Sequence, residues 1–232
     1  MTRIRGIVFD KDGTLFDFQA TWGVWTRRMI EAESGGDPEV AARLADALGF
    51  DLETGRFRPD SVVIASTTET VAHHLLAALP GTDVGALMER MNAGATDLPQ
   101  VEAAPLREVL GRLGGMGLAL GIATNDTEEP ARAHLRAAGV EGMFPFVAGF
   151  DSGWGSKPGP GQLLAFAEAA GLSPSECVMV GDSLHDLAAA RAAGMVGVGV
   201  LTGVAGREAL EPAAEAVLDS IAELPGWVEA RA

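Results

Sequence analysis

Ile4-Arg5-Gly6-Ile7-Val8-Phe9-Asp10-Lys11-Asp12-Gly13-Thr14-Leu15 is the stretch on which the fold turns. Ile4 to Phe9 is a short apolar run of strand length, stopped abruptly by two acids and a glycine. A buried strand that ends in charge brings that charge to the edge of the core, where a ligand can reach it. Asp10 and Asp12, spaced by one residue at the entry to a glycine turn, can both face one pocket. A solvated turn would leave the same trace.

Downstream, apolar runs alternate with helices. A helix carrying Leu106, Val109, Leu110 and Leu113 leads to a strand at Leu118 to Ala123. A helix near Glu128 to Ala138 ends at Gly139 and precedes a strand at Phe146 to Ala148. Another, around Gln162 to Ala170, ends at Gly171 before the strand Cys177 to Val180. Leu187 to Ala193 ends at Gly194 before the strand Val196 to Val200, and a last weak strand is Ala216 to Leu218. Such alternation predicts a parallel sheet covered on both faces.

Between Phe18 and Asp97 there is no convincing strand–helix alternation. Asp37-Pro38 reads as an N-cap with proline at the first helical position, and Val40, Leu44 and Leu48 then share a face as far as Gly49. Ser66 with Glu69 matches a capping box that opens a helix through Val71, Leu75 and Leu79, stopping at Pro80-Gly81. A third helix starts near Asp83, with Val84, Leu87, Met88 and Met91 on its apolar side. The expected fold class is α/β: a Rossmann-like parallel-sheet core of residues 1–17 and 98–232, interrupted by a helical domain of residues 18–97.

The chain has 232 residues, enough to bury a sizeable core, with 47% hydrophobic and 21% charged, the balance of an ordinary folded chain. Its formal net charge of −15 repels nucleic acid and anionic lipid, so neither a nucleic-acid partner nor a membrane is expected. A small anionic substrate would be repelled as well unless its site supplies local positive charge. The lone cysteine, Cys177, lies in an apolar run and reads as a small buried hydrophobe. The first residues carry no signal-peptide core, and no apolar stretch approaches membrane-spanning length, so the expected location is the cytoplasm.

In an open parallel sheet, ligands bind beyond the carboxyl ends of the strands, so polar residues just after apolar strands are the site candidates. Ile122-Ala123-Thr124-Asn125-Asp126 puts a hydroxyl and an amide at a strand end, a pattern that helix N-capping also explains. Gly155-Ser156-Lys157-Pro158 sets a lysine beside a proline turn, where an exposed lysine would be ordinary. Val180-Gly181-Asp182-Ser183-Leu184-His185-Asp186 brings further acids to a strand end, with Ser183 able to cap the following helix.

In this order and on successive strand ends, the four segments resemble the motifs of the haloacid dehalogenase (HAD) superfamily, whose members are mostly phosphatases. The likeness spans Ile4 to about Val200. Within the superfamily, Lys157-Pro158 through Gly181-Asp182-Ser183 and Asp186 is similar to the phosphoglycolate phosphatase and β-phosphoglucomutase branch. The resemblance implies a HAD-like core, makes the helical insertion the superfamily's mobile cap, and implies a Mg²⁺-dependent phosphatase acting on a small phosphorylated metabolite. Asp10 would be the nucleophile that becomes an aspartyl phosphate, and Asp12 the acid and base. Mg²⁺ would take the side chains of Asp10 and Asp182 and the backbone carbonyl of Asp12, with Asp186 in support. Thr124, Asn125 and Lys157 would bind the phosphate. Asp12 argues against a dehalogenase, whose leaving halide needs no proton. A phosphomutase of the β-phosphoglucomutase type is the alternative, and a non-catalytic phosphate-binding domain another; the assembly expected is a monomer or homodimer.

Lys11 departs from the motif, in which an apolar residue is commoner, and its backbone is expected to matter more than its side chain. His73 and His74 are expected to be surface or half-buried histidines of a cap helix rather than ligands, and His185 is left out of the site. Trp22 and Trp25 could line the substrate pocket, but packing at the cap hinge is the expectation. Arg27, Arg28, Arg56 and Arg58 could anchor a substrate carboxylate, but a solvated surface is the expectation.

Overall fold

The computed structural model describes residues 3–58, 60–64, 66–96 and 100–231, leaving aside the side chain of Thr96. Strand β1 (Gly6–Phe9) is buried throughout and lies inside a six-stranded sheet. The insertion holds α1 (Phe18–Ser34), α2 (Pro38–Leu48), β2 (Phe50–Asp51), β3 (Arg56–Phe57), α3 (Thr68–Leu76) and α4 (Val84–Thr96). After it come α5 (Leu106–Gly115), β4 (Ala119–Ala123), α6 (Glu128–Ala137), β5 (Phe146–Ala148), α7 (Gly161–Ala170) and β6 (Cys177–Gly181). The chain closes with α8 (Leu184–Ala193), β7 (Val196–Val200), α9 (Arg207–Leu210), β8 (Ala216–Leu218) and α10 (Leu224–Glu229). The order across the sheet is β5-β4-β1-β6-β7-β8, and every pairing is parallel.

Successive strand residues point to opposite faces, which sorts the apolar side chains into two layers. Ile7, Phe9, Ile122 and Val180 pack with Leu110 of α5 and Val228 of α10, while Val8 and Met179 pack with Phe166 of α7 and Ala189 of α8. Cover on both faces is why the strands read as continuous apolar runs. Cys177 is fully buried in β6, and burial pushes its thiol up to about 11, so it is the inert hydrophobe expected.

The helical segment packs around its own cluster, which includes Trp25, Ile30, Leu44, Leu48, Phe57, Leu75 and Leu87. Its α2 begins where Asp37 accepts bonds from the N–H groups of Glu39 and Val40 at 2.8 and 3.2 Å, and ends at Gly49 with φ 63°. The chain crosses between the two regions side by side: Asp17 N donates to Val101 O at 2.8 Å and Ala103 N to Leu15 O at 2.9 Å. The boundary expected between residues 97 and 98 lies outside the described residues.

Some local expectations are corrected. The cap of α3 is Thr67, whose hydroxyl accepts from Thr70 N at 3.2 Å, one residue beyond the expected Ser66. Glu69 therefore sits in the first turn near the positive helix end, rather than reaching back to a capping-box partner. The helix stops at Leu76, and Leu79 is buried by way of a turn whose N–H bonds the Leu75 carbonyl. The antiparallel pair β2–β3 interrupts a segment expected to be helical, stabilised by the Phe50 and Phe57 rings 5.1 Å apart.

Candidate active site

Parallel pairing holds β1 in register with both neighbours, Phe9 lying opposite Ile122 and Val180. The residues that follow these strands, Asp10, Thr124 and Asp182, therefore emerge at one edge of the sheet, and all are buried. Lys157, from the loop between β5 and α7, places Nζ 2.6 Å from Asp10 Oδ1 and 2.6 Å from Asp186 Oδ1. Asp10, Asp182 and Asp186 each offer one carboxylate oxygen within 4.8 Å of the others.

Local folding explains the placement. Ser183 is the N-cap of α8, so the capping role open to it from sequence is met, and the same residue fixes Asp186. Asp186 Oδ2 accepts from Ser183 N at 3.0 Å and from Ser183 Oγ at 2.6 Å. Asn125 clamps the lysine loop, its Nδ2 donating to Lys157 O at 2.9 Å and its Oδ1 accepting from Lys157 N at 2.9 Å. Thr124 Oγ1 accepts from Asp126 N at 3.1 Å. Gly13 has φ 80°, and a Cβ there would stand 2.5 Å from Asp182 Oδ2, so only glycine lets the turn pass this acid.

The charges do not balance. Burial raises Asp10 to about 7, with Lys157 pulling down and Asp186 and Asp12 pushing up. Burial, reinforced by Asp10 and Asp186, holds Asp182 well above the usual carboxylate range. Burial works against the charge of Lys157, but Asp10 and Asp186 outweigh it and hold the ammonium above its usual value. Three clustered carboxylates against one lysine make an all-oxygen donor set with excess negative charge, which fits a hard divalent cation such as Mg²⁺.

Asp12 contributes its side chain elsewhere. Its carboxylate bonds Lys11 Nζ at 2.8 Å, outside the cluster of three acids. Lys11 is fully buried; Nζ also lies 3.0 Å from His134 Nδ1, 3.3 Å from Asp126 Oδ2 and 5.5 Å from the centre of the Trp22 ring. The Lys11 side chain, expected to matter less than the backbone, is fully buried among polar partners, of which His134 and Asp126 were missed. The available signal was a lysine closing an apolar strand, since a buried ammonium must find acids. His134 gave a fainter one, sharing the buried face of α6 with Ala131 and Leu135.

A pocket opens between the strand ends and the helical segment. Asp10, Asp12, Thr124, Asn125 and Lys157 line one side, and Phe18, Trp22, Trp25, Ile64, Met91 and Asn92 the other. Trp22 and Trp25 meet edge to face at 5.3 Å, so they pack together and also line the pocket, and both readings open to them from sequence are met. His185, left out from sequence, lines it too. None of Arg27, Arg28, Arg56 or Arg58 does, and His73 and His74 are exposed as expected. Among the described residues no helix is long and apolar enough to cross a membrane.

The family model of the haloacid dehalogenase-like hydrolases matches residues 4–194, and the chain belongs to that family. It is a hydrolase, and curated relatives that it matches carry the name phosphoglycolate phosphatase. It is 36% identical to the phosphoglycolate phosphatase of Rhodospirillum rubrum, over 97% of this chain and 90% of that one. In fold it is similar to a predicted phosphoglycolate phosphatase from Haemophilus somnus 129PT (TM-score 0.74, 19% identical, 98% of this chain and 99% of that one). It is also similar to the L-2-haloacid dehalogenase from Xanthobacter autotrophicus (TM-score 0.64, 19% identical, 99% of this chain and 100% of that one). Fold alone thus does not separate the two chemistries.

Proposed function

We propose that the chain is a cytoplasmic, Mg²⁺-dependent phosphatase that hydrolyses a small phosphate monoester through an aspartyl phosphate on Asp10. The observation that carries the reading is Lys157 Nζ at 2.6 Å from Asp10, with Asp182 and Asp186 beside it. A carboxylate can approach a phosphate dianion only where positive charge offsets both. Asp10 attacks phosphorus as the ester P–O bond breaks; the electron pair leaves on the ester oxygen, which takes a proton from Asp12. Asp12, then a carboxylate, removes a proton from the water that attacks the aspartyl phosphate, which frees phosphate and restores Asp10. Thr124 and Lys157 hold the phosphate oxygens, and Asn125 contributes by presenting Lys157. The side chains of Asp10 and Asp182 and the carbonyl of Asp12 would hold Mg²⁺, with Asp186 orienting the set; the ion supplies positive charge against the phosphate oxygens. Residues 18–97 act as a cap domain over a core of residues 1–17 and 98–232. Phosphoglycolate is the first substrate to test, on the names of the relatives.

Phosphate release with Mg²⁺ from a panel of monoesters headed by phosphoglycolate is expected, and Asp10→Asn is expected to lower it about a thousandfold or more. Release that persists in the variant, or none above it in the wild type, overturns the reading. Isomerisation of β-glucose 1-phosphate with little net release would favour the phosphomutase instead.

A further inference from the structure

We infer that Lys11 is a positioning residue for Asp12, holding its carboxyl where it meets the leaving oxygen, and that His134 ties this hold to the cap through the carbonyl of Ala95. The inference rests on the reading of Asp12 as acid and base given above.

A lysine ammonium has three N–H donors and no acceptor. Here it is fully buried, hydrogen-bonds the Asp12 carboxylate at 2.8 Å and His134 Nδ1 at 3.0 Å, and makes an ion-pair contact with Asp126 Oδ2 at 3.3 Å. The Trp22 ring from the cap adds a cation–π contact at 5.5 Å. Because His134 Nδ1 faces an ammonium, it accepts, and the ring proton is on Nε2, which donates to Ala95 O at 2.8 Å. The tautomer follows from its two partners. An unbroken series of contacts therefore runs from the Asp12 carboxylate through Lys11 and His134 to the end of α4, the cap helix that packs on α6. Were Lys11 present only to neutralise Asp126, the shorter contact to Asp12 would be unneeded. With an apolar side chain at this position, Asp12 would lose the group that fixes its orientation.

The expected signature is leaving-group dependence of kcat/KM, which covers the steps through departure of the alcohol. An alkyl ester needs a proton from Asp12; p-nitrophenyl phosphate does not, because nitrophenolate leaves unprotonated. Lys11→Met is expected to lower kcat/KM about tenfold or more on the best alkyl phosphate of the panel, and less than about threefold on p-nitrophenyl phosphate. His134→Leu keeps the Lys11–Asp12 contact but cuts the link to α4, and is expected to show the same asymmetry in weaker form. Should Lys11→Met not fold, the double variant Lys11→Met/Asp126→Asn removes the buried ion pair together and reads the same quantity. Equal losses on both esters, or no loss on the alkyl ester, overturn the role of Lys11; asymmetry with Lys11→Met but none with His134→Leu overturns the link to the cap. Asp12→Asn separates the two levels. Asymmetry there without asymmetry in Lys11→Met overturns this inference alone, whereas equal losses in Asp12→Asn overturn the acid role of Asp12 and the inference with it.

Discussion

His134 sits between the Lys11 ammonium and the Ala95 carbonyl, and burial, followed by the charge of Lys11, lowers its pKa from 6.5 to about 4. In the unfolded chain it titrates near its ordinary value. Between the two, the unfolded state binds the extra proton, so the native state loses stability as pH falls from about 6.5 towards about 4. The loss contributed by this one group can approach about 3 kcal/mol. Denaturant unfolding at pH 7.5 and pH 5, run on wild type and on His134→Gln, is expected to show a shallower acid loss in the variant. Buried Asp10 and Asp182, raised rather than lowered, pull both profiles the opposite way, so the difference between proteins isolates His134. Equal profiles would refute the assignment. The same residue marks the limit of sequence reading. Asp10, Asp12 and Asp182 were legible because each lies just after a strand, and strand ends of a parallel sheet converge, whereas Lys157 lies in the loop between β5 and α7 and was legible only from its motif. The contact of Lys11 with His134 joins residues 123 apart in sequence and depends on which face α6 turns to β1, which no local pattern encodes.

At the next scale, the start of α8 joins a structural device to a chemical one. Ser183 caps the helix, and its N–H and hydroxyl both bond the carboxylate that pairs with Lys157. Ser183→Ala is expected to cost about 1 kcal/mol as a lost cap, read as a fall in Tm. It is also expected to lower kcat about tenfold with little change in KM, because Asp186 loses the hydroxyl that helps aim it. A fall in Tm with kcat intact would leave Ser183 as a cap and nothing more. Elements of this kind were mostly legible: β5, β7 and β8 match their expected bounds, β7 because a strand covered on both faces stands out as an apolar run. The misreadings have local causes. Ser66 and Thr67 are equivalent capping chemistries, and only the backbone decides between them. The strands β2 and β3, two residues each, are too short to show an alternation.

For the whole molecule, the net charge of −15 and the buried acid cluster point to the same dependence on a cation. An acidic surface attracts divalent cations and repels phosphate esters, so on the proposed reading the anion would be accepted only where the ion and Lys157 stand together. Burial raises Asp10 to about 7 and holds Asp182 well above its usual range, so without metal the cluster is expected to retain a proton near neutral pH that its ionised form would shed. A divalent ion favours the ionised carboxylates, and its binding must release that proton. Mg²⁺ affinity is therefore expected to rise with pH, about tenfold or less between pH 6.5 and pH 8. The binding enthalpy measured by calorimetry should also vary with the ionisation enthalpy of the buffer, which reads the proton directly. Mg²⁺ at about a hundred times its Kd should stabilise the fold by roughly 3 kcal/mol, a gain removed by EDTA and absent in Asp182→Asn. If affinity is flat across this range and the enthalpy does not depend on buffer, the cluster is already ionised without metal, and the excess charge must be offset within the protein by Lys157 alone.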